Sequence, residues 1–268
     1  MTIDVLLEIT RYLILISVLV DSLETLAKRQ LYRRGQIFSH FLVLPKLRVS
    51  SRLGRTRIYI FDRAFLPLIW VKTIAALVSM VYISAPALIL ILVIQWLSFA
   101  RHKSSNSAAD QIQLIVLFGY VVAQLSPDLL LRQMAMSFIA VNLLISYITA
   151  GYFKLTSKTW QSGNAMRVVL ATDTYGDSKF YFNLLNKPVM FKVMAWATIC
   201  FDFFLPFVAM MHPVGSIVFI VLGVTFHAGN AYFMGLNNFL LAFAAGFPSV
   251  YYLSLLIHTT LFNGSFGL

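Results

Sequence analysis

Lys154 stands where an apolar run comes to its end, in the stretch "YITAGYFKLTSKTWQSGNAM" over residues 147–166. Small Ala150 and Gly151 precede it, the aromatics Tyr152, Phe153 and Trp160 flank it, and an amide-rich "WQSGN" turn follows. A helix that merely stops needs only a cap. A lysine gathered with rings and amides raises a question of proton chemistry.

Few other ionisable groups interrupt the apolar runs. Lys72 sits mid-way along "IWVKTIAAL", and Asp202 lies in "CFDFFLPF" ahead of a proline that frees backbone carbonyls. His227 and Asn230, three residues apart in "FHAGNAYFMGLNNF", share a helix face, and Glu8 and Arg11 have the same spacing. Inside a bilayer such groups cost on the order of several kcal/mol and mark proton relays, substrate paths or paired charges. Structural roles stand beside the chemical ones. Lys72 can pair with Asp202 or Asp21, Lys154 can snorkel to the interface, and His227 can hydrogen-bond a neighbouring helix brought close by Ala228 and Gly229. Intramembrane Asp and Lys would also fit a proton-coupled transporter, although the two halves show no repeat of the kind many carriers have.

The elements that must hold these residues follow from composition. Of 268 residues, 59% are hydrophobic and 12% charged, about half the charge usual in soluble domains; mean hydropathy is +0.80. The expected fold is all-α, a polytopic integral membrane bundle of one domain. Eight helices are expected, at about 5–27, 64–82, 85–101, 111–126, 131–154, 189–211, 214–234 and 237–258. Charge order around Tyr12–Val20 argues against a cleaved leader.

The net charge of +11 could suggest nucleic acid, but its placement argues for a membrane. Basic residues crowd into 28–63 and recur at Arg101, Lys103, Lys158, Arg167, Lys179 and Lys187, whereas the alternate loops are nearly uncharged. By the positive-inside pattern both termini lie outside and the basic segments in the cytoplasm. Anionic lipid headgroups are their partner rather than nucleic acid. "IFSHFLVL" is expected to lie on the membrane surface, and 155–188 to form a polar loop aromatic enough to fold back on the membrane face.

Other chemistries are not signalled. There is no HExxH, GxSxG or glycine-rich phosphate loop, and the five histidines scatter over both expected sides, so no metal is expected. Cys200 is the single cysteine, which excludes internal disulfides and CxxC chemistry; in its apolar run it reads as a buried core thiol.

The opening stretch resembles the signature of the HTTM family, the transmembrane domain shared with vitamin K-dependent gamma-carboxylase. The matching residues are Tyr147, Ala150, Gly151, Lys154, Leu155, Trp160 and Gly163. "FDFFLPF" is similar to that family's acidic helix, with Asp202 where glutamate is usual, and "FHAGNAYFMGLNNF" looks like its histidine-bearing helix. The likeness implies a quinol (vitamin K-like) cofactor with Lys154 as the base, accompanied by Asp202 and His227. Tyr147, Tyr152, Trp160 and Asn230 would hold the ring. Burial among Tyr152, Phe153 and Trp160 would favour the neutral amine that base catalysis needs. The first reading is therefore a bacterial quinol-linked, carboxylase-like membrane enzyme in the lyase class. The alternative is a non-enzymatic maturation or immunity partner of an exported peptide or another membrane protein, with a small transporter third.

Overall fold

The computed structural model describes residues 2–32, 52–102, 106–172 and 176–262. The expected surface stretch "IFSHFLVL" and the basic residues between 33 and 51 lie outside the described residues, as does Lys103. Among the described residues every regular element is helical. They are α1 Ile3–Ala27, α2 Arg52–Val81, α3 Ala85–Arg101, α4 Ala108–Leu125, α5 Leu129–Thr156, the short α6 Lys158–Gln161, α7 Asn164–Leu170 and α8 Ser178–Leu184, then α9 Pro188–Phe203, α10 Leu205–Met211, α11 Pro213–Met234 and α12 Asn237–Phe262.

Local sequence sets these ends. Ser107 and Asp110 form a reciprocal capping box at the start of α4, with Ser107 N–H donating to Asp110 Oδ2 at 2.6 Å. Asp128 accepts from the first amides of α5, and Asp177 does the same for α8. Pro188 and Pro213 open α9 and α11, where a missing N–H leaves no helical bond unmade. Pro206 breaks the helix within the expected span 189–211, where α9 stops at Phe203 and the chain resumes as α10, while Pro188–Met211 remains one crossing length.

Among the described residues six stretches are long and apolar enough to cross a membrane: Arg63–Val81, Ala108–Leu125, Leu129–Thr156, Pro188–Met211, Pro213–Met234 and Asn237–Leu261. Of the eight expected, α3 is apolar but only 17 residues long. α1 is long but carries Asp4, Glu8, Arg11, Asp21 and Glu24. α12 is the central element, packing against α1, α4, α5, α10 and α11. Over half of its spanning window, 56%, is buried, against 17% for α11 at the periphery. Outward faces carry large apolar chains such as Trp70, Ile74 and Leu77 on α2 and Val214, Ile217 and Val221 on α11. Contiguous faces of that kind are costly in water and suited to lipid. The protein is an integral membrane helical bundle in contact with membrane lipid.

Two expectations are corrected here. Residues 155–188 are not simply a polar loop, because Met166, Leu170 and Leu184 give its short helices apolar sides that pack with Phe191 and Ala195 of α9. Cys200 is exposed on the outer face of α9 rather than buried, since the opposite face is taken by Ile199, Phe201 and Asp202.

α1 to α4 are joined by a buried polar chain. Lys72, fully buried on α2, donates to Asp21 Oδ2 of α1 at 2.9 Å and to Gln95 Oε1 of α3 at 2.7 Å. Gln95 donates to Gln113 Oε1 of α4 at 2.6 Å, and Gln113 to Ser17 Oγ of α1 at 2.8 Å. Lys72 has thus taken Asp21, not Asp202, as its partner. Glu8 and Arg11 pair at 2.7 Å, as their spacing suggests.

The pair is asymmetric: Lys72 has no exposure, whereas the Asp21 side chain keeps 23%. Asp21→Asn, which strands a buried ammonium, should cost about 3–5 kcal/mol. Lys72→Met should cost clearly less, and the double variant should recover most of the loss. Thermal unfolding in detergent tests this; equal costs for the two single variants would refute the asymmetry.

Candidate functional site

Tyr147, Gly151 and Lys154 recur at helical spacing along one face of α5. That face meets α9 at Phe201–Phe203. Gly151 makes the approach possible, since a Cβ there would lie 2.5 Å from the backbone N of Phe203 and 2.7 Å from the carbonyl carbon of Asp202. Three residues later the Lys154 Nζ donates to Asp202 Oδ2 in an ion pair. Asp202 is almost wholly buried at 4% exposure, while Lys154 keeps 22%. The amine is reachable and its counter-charge is not.

Seven residues before Lys154, Tyr147 Oη lies 2.6 Å from His227 Nε2 of α11, a buried hydrogen bond. Phe201, Phe219 and Phe243 set edge-to-face contacts on the Tyr147 ring, with centroids 5.1–5.4 Å away; such pairs contribute about 0.5–1.5 kcal/mol each beyond their burial. Phe243 also lies 4.5 Å from the imidazole. His227 Nδ1 is buried and has no hydrogen-bond partner among the described residues. When Tyr147 donates to Nε2, the neutral imidazole must carry its proton on Nδ1, so a donor points into the protein with nothing to receive it. Phe201, the neighbour of Asp202 on α9, packs on the Tyr147 ring and so links the two contacts. Four residues spread over 80 positions of sequence therefore form one cluster.

The "WQSGN" turn lies over this cluster. Trp160 on α6 places its ring 5.2 Å from Lys154 Nζ, a cation–π contact. Gln161 secures the turn, its side chain donating to Leu155 O at 2.6 Å and its carbonyl accepting from Trp196 Nε1 at 3.2 Å. Gly163 follows with φ +83°, and a Cβ there would fall 2.6 Å from the amide nitrogen of Lys192. Glycine is required on both counts.

Not every expected member joins. Tyr152 and Phe153 face outward, 52% and 66% exposed, so the expected aromatic wall around Lys154 reduces to Trp160. The helical turn sends their side chains away from the face shared by Tyr147 and Lys154. Tyr147 is present but its ring is enclosed, leaving its hydroxyl as the useful part. Asn230 is half-buried one turn beyond His227, and its carbonyl accepts the Gly235 and Leu236 amides that close α11. The aromatic set Phe201, Phe219 and Phe243 was missed; two of these belong to helices whose contacts with α5 no local pattern reveals. Comparison with known proteins assigns no identity: no family model, curated protein or solved structure matches the chain.

Two substitutions probe the construction. Gly151→Ala should force α5 and α9 apart and cost about 1–3 kcal/mol. Asp202→Asn should then cost less in that background than in the wild type, as chemical denaturation in detergent would show; additive losses would mean the pair does not depend on the close approach. Tyr147→Phe leaves His227 Nε2 without its partner and should cost about 1–3 kcal/mol, measured in the same way.

Proposed function

We propose that this protein is a quinol-linked membrane enzyme of HTTM type, carboxylase-like in ancestry, acting in a bacterial plasma membrane with eight spans and both termini outside. The observation that carries the reading is the convergence of the Lys154–Asp202 ion pair with the Tyr147–His227 hydrogen bond, beside an unpartnered His227 Nδ1. The residues present suit a phenolic ring. Nδ1–H is a donor left unspent within the cluster, the half-buried Trp160 offers a face, and the reachable Lys154 offers a proton acceptor. When bound, a quinol supplies an acidic O–H and reducing equivalents for oxygen chemistry.

The chain's own part is proton handling. In the pair, Lys154 holds its proton at Nζ against Asp202 Oδ2. Transfer of that proton within the pair gives a neutral amine beside a neutral acid without changing net charge, so a water-poor interior carries either form without an isolated ion. The neutral amine is the state able to take a proton from a ligand. The ammonium so formed stands beside the neutral Asp202 acid, with the negative charge left on the ligand as its counter-ion, so net charge again stays unchanged. Tyr147 is a positioning residue: its hydroxyl fixes the imidazole and selects the nitrogen that carries hydrogen. The aromatic shell excludes water, which strengthens each of these interactions.

Mass spectrometry of lipid extracts from purified protein tests the reading. Wild type should retain a quinone, and Lys154→Ala, folded by size-exclusion chromatography, should retain at least tenfold less. An exported peptide or membrane protein held stoichiometrically by both forms, with no quinone in either, would replace the enzyme with the partner reading.

A further inference from the structure

The outward face of α5 points away from the Lys154 cluster, and what covers it does not depend on the enzyme reading. Leu131, Met134, Phe138, Val141, Ile145 and Tyr152 lie 41–59% exposed along it. With Ile148 they recur at alternating steps of three and four over three heptads, the spacing of a helix–helix seam. Such a seam also suits lipid, since apolar chains gain little by leaving hydrocarbon for one another. Spacing alone therefore does not say what covers the face.

Two polar side chains on its flanks do. Ser137 and Asn142 both line an outward groove of about 410 Å³ along this face. Asn142 stands mid-way along the 28-residue α5, about 20 Å from either end. Its Nδ2 donates to Phe138 O in its own helix at 2.8 Å; the second N–H and the side-chain oxygen have no partner among the described residues. Ser137 Oγ makes no hydrogen bond among the described residues either. Hydrocarbon offers such groups nothing, so facing lipid leaves them unsatisfied. The neighbouring groove over Trp96, Phe118 and Phe138 differs: its lining is apolar and aromatic throughout, and lipid tails suffice there.

The register of the two polar residues names the partner. Ser137 comes just before Phe138 and Asn142 just after Val141, which makes them the g and e positions flanking the seam, the ones that meet across two parallel helices. They fall five residues apart, so g of one helix faces e of the next heptad on the other. A second copy of this chain, inserted the same way round, brings the same two groups at the same depths. A two-fold axis along the membrane normal then sets Ser137 of each copy opposite Asn142 of the other. Amide and hydroxyl each give and accept, so either bond closes on the other's unspent group. Ser137, being small, also lets the two helices come close. We propose that the outward face of α5 is the interface of a parallel two-fold dimer, with Ser137 of each copy hydrogen-bonded to Asn142 of the other.

The test uses the full chain in liposomes over a range of protein-to-lipid ratios. Förster transfer between copies carrying donor and acceptor labels should report a dimer, and Asn142→Leu should raise its dissociation constant at least tenfold. Asn142 bonds only within its own helix, so the melting temperature at a dilution where both forms are monomeric should stay near that of wild type. Ser137→Ala should weaken the dimer as well, and the double variant should be no weaker than Asn142→Leu alone, as for two residues that meet. In a Cys200→Ser background, Val141→Cys should cross-link between copies under oxidation, whereas Ile217→Cys on α11 should not. A chain monomeric at every ratio would leave the face to lipid, and a Val141→Cys adduct to a different protein in native membranes would give it to another partner. Either result overturns the proposal, as do a dimer equally tight in Asn142→Leu, additive losses in the double variant, or cross-linking through Ile217→Cys instead.

Discussion

A charge placed among apolar helices must find its counter-charge within the protein, and much of this architecture follows from that requirement. Breaking such a pair by removing one partner costs about 3–5 kcal/mol, comparable to much of the net stability of a domain. Lys72 and Lys154 meet the requirement differently. The first is sealed and shared between an aspartate and a glutamine on two other helices; the second is reachable and matched to one deeply buried aspartate. A sealed pair joins helices. A reachable pair can exchange a proton.

Close packing then decides what the second pair can meet. Helices in lipid gain little by hiding apolar surface from one another, so small residues that admit a neighbouring backbone govern association. Gly151 does this between α5 and α9, and the contact carries Lys154 onto Asp202. The same approach sets Phe201 against Tyr147. One missing side chain thus aligns a charge pair and part of an aromatic enclosure together.

The sequence showed the membrane class through composition and long apolar runs, and helix positions through cap residues and prolines. Lys154, Asp202 and His227 stood out because ionisable groups are rare in such runs, and Asp21 was among the partners open to Lys72. Their assembly was not legible, because it depends on which helices touch, and no local spacing encodes the meeting of α5 with α9 and α11. Tyr152 and Phe153 misled for the opposite reason: neighbours of Lys154 in sequence, they stand on another side of the helix. Cys200 misled similarly, since apolar surroundings in lipid mark the outside of a bundle as readily as its interior. The helices within 155–188 were masked by their polar residues, and the few apolar anchors that fold them were visible only once paired with α9.

The amide chain beside Lys72 has a direction. An ammonium only gives hydrogen, so Gln95 must present oxygen to it and therefore nitrogen to Gln113. Gln113 in turn must present nitrogen to Ser17. One cation on α2 fixes the orientation of amides on α3 and α4 before the chain returns to α1. Reversing the sign at position 72 would do more than lose an ion pair: both amides would have to turn over, and Ser17 would have to become the giver. The four helices are keyed to one polarity, much as a plug fits its socket one way round.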